Sequence, residues 1–173
     1  MKKLRYILPV LISLLLTATA HGAFSDLPPS GWAREAVTAA CGYGLMDGMD
    51  ADHFGVGKTM SRAQFVTVLT RMLGWETPAP DAFSDLSGHW AREAAAAGAV
   101  VAGGAFRPDE AITRREMAVM LVRALGYDHL AQNAYPLPFT DVSADRGYIA
   151  IAYDMGIING NAPASFSPDS SAT

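Results

Sequence analysis

Cysteine occurs once in the 173 residues, at Cys41, so the chain cannot close a disulfide within itself. Charge is sparse, at 17% of residues, and the basic kind is the scarcer, with 13 Lys and Arg against 17 Asp and Glu. Lys2, Lys3 and Arg5 lie in the first twenty positions; beyond them ten basic residues face seventeen acidic ones, a net charge of −7. That balance excludes the basic face of a nucleic-acid binder and the polybasic patch that holds a protein to an anionic membrane. The histidines, His21, His53, His89 and His129, are scattered without metal-ligand spacing. No Gly-x-Ser-x-Gly occurs, and no pair of carboxylates is set for glycosidic chemistry. No cofactor is implied.

Half of the residues are apolar, which is a globular composition. Long apolar runs are confined to the start. There the basic residues precede Tyr6 to Leu16 and then Thr-Ala-Thr-Ala-His-Gly-Ala. This is the order of a secretory signal peptide over residues 1–20, with Ala18-x-Ala20 as the cleavage site and the bond after Gly22 as the alternative. The run is shorter than the ~20 residues of a membrane span, so no stable membrane insertion is expected after cleavage. Cys41, with Ala39, Ala40 and Tyr43 around it, reads as a packed thiol on the buried side of a helix.

What the chain does have is repetition. Phe24-Ser-Asp26-Leu returns as Phe83-Ser-Asp85-Leu after 59 residues and as Phe139-Thr-Asp141-Val after another 56. Trp32-Ala-Arg-Glu-Ala36 returns unchanged as Trp90-Ala-Arg-Glu-Ala94, while the third copy has Tyr148 instead. Each copy predicts a helix, a glycine-rich turn (Gly44 to Gly48, Gly156 to Gly160) and, in the first two copies, a second helix. In those second helices Phe65, Val68, Leu69, Met72 and Leu73 match Met117, Met120, Leu121, Ala124 and Leu125, one apolar stripe each, ended by Gly74 and Gly126. Two short helices make too small a core alone, so the copies should pack on one another. The simplest arrangement sets the second helices at the centre and the first helices outside, joined by the proline-stiffened linkers Thr77–Asp81 and Tyr135–Pro138. The division expected is 21–75, 76–128 and 129–173 after the signal peptide.

The most informative phrase runs from Phe106 to Glu116. Seven residues after Phe106 comes Thr113, then Arg114 and Glu116; seven after Phe54 come Ser61, Arg62 and Gln64. These are capping boxes that open a helix. The arginine at the first helical position opposes the helix dipole, which makes sense if an anion sits between the guanidinium and the unpaired first-turn amides. The third phrase stops at Thr173, seven residues after Phe166, so a piece of a longer protein is expected.

Two other patterns are weaker. Gly55-Val-Gly-Lys58-Thr59 ends like a phosphate-binding loop, but Asp52 stands where that motif needs glycine. Asp47, Asp50 and Asp52 lack the spacing and terminal glutamate of a calcium loop and read as a solvated turn.

In order, Phe-x-Asp, a Trp, Gly-x-x-x-Gly, Phe-x-Pro-Asp and Thr-Arg-x-Glu resemble the S-layer homology repeat over residues 24–173. The departures are Phe54-Gly-Val-Gly and Ser61-Arg-Ala-Gln64 in the first copy, a short Trp90-to-Phe106 interval, and the absent Trp and Arg in the third. The resemblance implies an all-α fold of tandem helix-loop-helix repeats in a pseudo-threefold bundle, with an incomplete third repeat. It implies a non-catalytic module that holds proteins to the bacterial cell surface. The implied partner is an anionic, pyruvylated secondary cell-wall polysaccharide or peptidoglycan-linked glycan. Read by position, the arginine role falls to Arg62 and Arg114 beside Ser61 and Thr113, the loop aspartates are Asp26, Asp85 and Asp141, and the aromatic platform is Trp32 and Trp90. From the residues alone the tryptophans are equally anchors of the outer helix, and the aspartates equally turn caps. Gln64 and Glu116 read as cap partners, and Phe24, Phe83 and Phe139 as core. The same resemblance leaves open the targeting part of a secreted polysaccharide or wall hydrolase, or a surface-lattice subunit.

Overall fold

A computed structural model describes residues 24–75, 83–97, 104–133 and 135–172. The expected signal peptide, the Thr77–Asp81 linker and the cap at Thr173 lie outside the described residues. The elements, in order, are α1 (Trp32–Gly42), α2 (Arg62–Leu73), α3 (Arg92–Ala97), α4 (Arg114–Ala124), a 3-10 turn (Asp128–Leu130) and α5 (Arg146–Asp154). The fold is all-α; among the described residues backbone pairing outside helices is limited to isolated bridges.

Both second helices begin at complete capping boxes. Ser61 Oγ accepts from the Gln64 amide while the Gln64 side chain accepts from the Ser61 amide, and Thr113 and Glu116 repeat the pattern. Gly74 closes α2 in the left-handed region at φ 63°, and Gly126 follows α4 at φ 81°.

The core is shared between copies. Phe65, Val66 and Leu69 of α2 lie in one cluster with Ala95 of α3 and Met120 of α4. Ala118 and Val122 of α4 lie in a second with Tyr148, Ile149, Ile151 and Ala152 of α5. Each second helix thus supports the first helix of the next copy. The expected stripe explains only part of this, because Val66, Ala118 and Val122, all fully buried, lie on another face.

Each copy is pinned internally by a phenylalanine pair: Phe24 with Phe54, Phe83 with Phe106 and Phe139 with Phe166, ring centroids 5.7, 5.1 and 5.5 Å apart. A Cβ at Gly48 would collide with the Phe24 ring, and one at Gly160 with the Phe139 ring, which explains the second glycine of the turn. Cys41 is buried as expected, but its neighbours Ala39 and Tyr43 face solvent. The helix turns by about 100° per residue, so adjacent positions need not share a face.

The copies meet in a ring. The Met60 amide donates to the Ala172 carbonyl at 3.0 Å, the Ile112 amide to Met60 at 2.9 Å, and the Ala172 amide to Ile112 at 2.9 Å. These three residues immediately precede Ser61, Thr113 and Thr173. Three equivalent hydrogen bonds, each passed to the next copy, define a pseudo-threefold axis.

Candidate functional site at the seams between copies

Each seam is built from a second-helix start and the phenylalanine loop of the following copy. At the first seam the amides of Arg62 and Ala63 donate to the carbonyls of Glu110 (3.0 Å) and Pro108 (2.9 Å). At the second, Arg114 and Arg115 donate to Ser170 and Pro168, both at 2.9 Å. The first-turn amides expected to be free for an anion are therefore taken by loop carbonyls, and the cap hydroxyls hold the amides of Gln64 and Glu116. What remains available to a ligand is side-chain chemistry.

The two arginines occupy equivalent places with different surroundings. Arg62 is 3% exposed. Its Nε donates to the Phe106 carbonyl at 2.6 Å, and its guanidinium carbon stands 5.2 Å from the Phe106 ring centroid. Arg62 Nη1 is 2.6 Å from Glu116 Oε1, an ion pair whose angles leave that nitrogen without an aligned acceptor. Burial pushes the guanidinium below its ordinary pKa, opposed by the Glu116 charge. Glu116 also takes Arg107 Nη2 at 2.7 Å. Burial pushes the Glu116 carboxyl upward, but the Thr113 amide and the two arginines outweigh it, and the group stays below its ordinary value.

Arg114 is only half-buried. Its Nε donates to the Phe166 carbonyl at 2.9 Å, its Nη2 to the Asn159 carbonyl, and its guanidinium lies 4.6 Å from the Phe166 ring centroid. Among the described residues these partners are neutral, so the charge is not cancelled by a carboxylate as at Arg62. Burial pushes this guanidinium below its ordinary pKa.

The three aspartates have one shared duty. Asp26 accepts from the amides of Phe54, Gly55 and Val56 at 2.8, 2.7 and 2.9 Å. Asp85 accepts from Phe106 and Arg107, both at 2.7 Å, and Asp141 from Phe166 at 2.9 Å and Ser167 at 2.8 Å. The residue after each phenylalanine has positive φ: Gly55 99°, Arg107 56°, Ser167 58°. The carboxylates hold that left-handed turn, which is costly for Arg and Ser. Amide donors, that of Phe54 first and that of Phe166 first, pull Asp26 and Asp141 down to about 2, and the Phe106 amide pulls Asp85 down. The aspartates cap a turn more than twenty positions downstream, not the turn that follows them.

Trp32 is 83% exposed and Trp90 64%. They are not anchors of the outer helices. Beside Trp90 the His89 ring sits 5.4 Å away, with its Nε2 3.3 Å from Asp109 Oδ1. Tyr148, at the equivalent place in the third copy, is buried instead, and its hydroxyl donates to Asp128 at 2.6 Å under the Arg123 guanidinium. The residues that sequence reasoning missed are Phe106 and Phe166 as arginine platforms, and Glu116 as a bridge between copies as well as a cap.

The repeat geometry agrees with sequence comparison. The model of the S-layer homology domain matches residues 23–66, 82–118 and 138–173. The chain belongs to the S-layer homology domain family. It is 32% identical over 166 residues to an endoglucanase of Bacillus sp. (strain KSM-635), covering 87% of this chain and 17% of that protein. An amylopullulanase of Thermoanaerobacterium thermosulfurigenes is 31% identical, covering 87% of this chain and 9% of its own length. An S-layer protein of Bacillus thuringiensis subsp. finitimus is 26% identical over 90% of this chain and 20% of its own. The chain spans less than a quarter of the length of these relatives. Among the described residues no helix is long and apolar enough to cross a membrane.

Proposed function

We propose that this S-layer homology chain is a non-catalytic attachment module of the bacterial cell surface. Its ligand is an anionic secondary cell-wall polysaccharide whose acidic group is a pyruvate ketal, and residues 1–20 direct its export. The observation that carries the reading is the Arg114 guanidinium, half-buried at a seam, stacked on Phe166 and bonded only to carbonyls. A planar, positively charged fork in a partly desolvated place favours a carboxylate. The exposed indoles of Trp32 and Trp90 offer apolar faces to the C–H side of sugar rings and an N–H to a hydroxyl. Ser61, Thr113, Asp26, Asp85 and Asp141 shape the seams, and Arg62 holds the first of them together.

A second reading is favoured by the relatives. An endoglucanase and an amylopullulanase match this chain over a small part of their length, as a targeting segment of a secreted polysaccharide hydrolase would. A third is a lattice subunit, as the S-layer protein relative implies. All three share wall attachment. The test is a pull-down of residues 21–173 with purified sacculi before and after their secondary polysaccharide is stripped, with circular dichroism on the same sample. Binding lost on stripping supports the reading; a folded chain that ignores both preparations refutes it, and self-association without polysaccharide favours the lattice.

A further inference from the structure

Each first helix except α1 is covered by the second helix of the preceding copy. Thr70 Oγ1 of α2 donates to the Ala94 carbonyl of α3 at 3.1 Å, and Val66 shares a core with Ala95. At the matching positions of α4, Ala118 and Val122 pack with Tyr148, Ile149, Ile151 and Ala152 of α5. Helix α1 ends as α5 does: the Leu45 and Met46 amides donate to the Ala40 carbonyl, as those of Ile157 and Ile158 donate to Ala152. That equivalence lays Ala36, Val37, Ala39 and Ala40 over Tyr148, Ile149, Ile151 and Ala152. The four α5 residues are buried, whereas Ala36 and Ala39 are exposed and Val37 and Ala40 half-buried. The cluster around α1, formed by Phe24, Leu27 and Cys41 with Val37 and Phe54, contains no second-helix residue.

The hydrogen-bonded ring says where a cover would enter. Helices α2 and α4 start two residues after Met60 and Ile112. Among the described residues no helix starts from the third corner, at Ala172. We propose that the Ala36–Ala40 face of α1 is the docking surface for one further helix of the α2 and α4 kind, entering at the Ala172 corner. Its chemistry is set by the two helices already present. It begins with an arginine, set over the Phe54 ring as Arg62 is over Phe106 and Arg114 over Phe166. Four and eight residues later it carries the small or β-branched side chains that Val66 and Thr70, or Ala118 and Val122, supply. Alanine at 36 and 39 lets such a helix approach closely, as Ala91 and Ala95 do in α3.

The test joins the sequence of residues 114–127 directly after Thr173 and compares thermal unfolding with that of the parent chain. The expected result is a rise in Tm of about 5 °C or more, abolished by Ala36→Glu with Ala39→Glu. Both alanines are exposed, so the same pair leaves the parent's Tm unchanged. No rise, or an equal rise in the substituted chain, overturns the proposal. So does a parent chain that sediments as a dimer and that the two substitutions dissociate, because the face then serves a second copy.

Discussion

The Arg62 guanidinium of the first copy lies 2.6 Å from the Glu116 carboxylate of the second, in a place that leaves Arg62 only 3% exposed. Glu116 serves two structures at once. It completes the capping box of α4 through the Thr113 amide, and it neutralises a charge that the neighbouring copy has buried. Removing the carboxylate strands that charge in a low-dielectric site, which is the costly way to break an ion pair.

Glu116→Ala is therefore expected to destabilise the fold by about 3 kcal/mol, from the unpaired arginine together with the lost cap. Gln64→Ala removes the cap partner of α2 without touching an ion pair, so it should cost about 1 kcal/mol. Urea unfolding of the two variants measures the difference. Equal losses would mean that the Arg62 pair contributes nothing beyond capping.

Acid sensitivity follows from the aspartates. Asp26 and Asp141 titrate in the fold at about 2, below the model value of 3.8, because backbone amides favour the charged form. A depressed folded pKa adds stability that is present above the unfolded value and lost as pH falls through the folded one. Tm should thus be level with respect to these groups above about pH 5 and fall between about pH 4 and pH 2. Asp26→Asn with Asp141→Asn should flatten that limb and lower Tm at neutral pH. A wild-type limb unchanged by the substitutions would assign the acid sensitivity to other carboxylates.

Glycine positions separate space from backbone conformation. At Gly48 and Gly160 the obstacle is a phenylalanine ring, Phe24 or Phe139. At Gly57 a Cβ meets nothing within 4 Å, and only φ 76° opposes it. Gly160→Ala is expected to cost about 2–3 kcal/mol through forced repacking, and Gly57→Ala about 1 kcal/mol through the left-handed backbone. Chemical denaturation of both variants tests the order.

Local rules made much of this fold readable. Capping boxes at Ser61 and Thr113, glycines at helix ends and the spacing of apolar side chains depend on residues a few positions apart. The seams were not readable, because a backbone carbonyl such as that of Pro108 or Glu110 carries no side-chain signature that it will fill a helix end in another copy. The arginine at the first helical position looked like half of an anion site because its amides seemed unpaired; tertiary contacts pair them. The second apolar face of the inner helices was hidden by Thr70 and Ala118, residues whose polarity or small size does not mark them as core. Trp32 and Trp90 ran the other way, since the hydrophobicity of an indole gives no sign that these two stay in solvent.

Arg62 and Arg114 should respond differently to the same substitution, because one charge is neutralised and the other is not. Arg62→Ala leaves Glu116 without its buried partner and the Phe106 carbonyl without its donor, so its main effect should be on stability, a loss of about 3 kcal/mol. Arg114→Ala removes a guanidinium held by carbonyls and a ring, at a smaller cost of about 1 kcal/mol for the neutral hydrogen bonds. Its main effect should be on wall binding, weakened about tenfold or more, the loss of one charge-assisted bond. Arg114→Lys keeps the charge but not the planar fork or the flat contact with Phe166, and should recover only part of the affinity. Binding isotherms on sacculi at a temperature where all variants are folded separate the two effects. Full wall binding by folded Arg114→Ala would remove this arginine from the site and leave the exposed tryptophans as the place to look for the glycan.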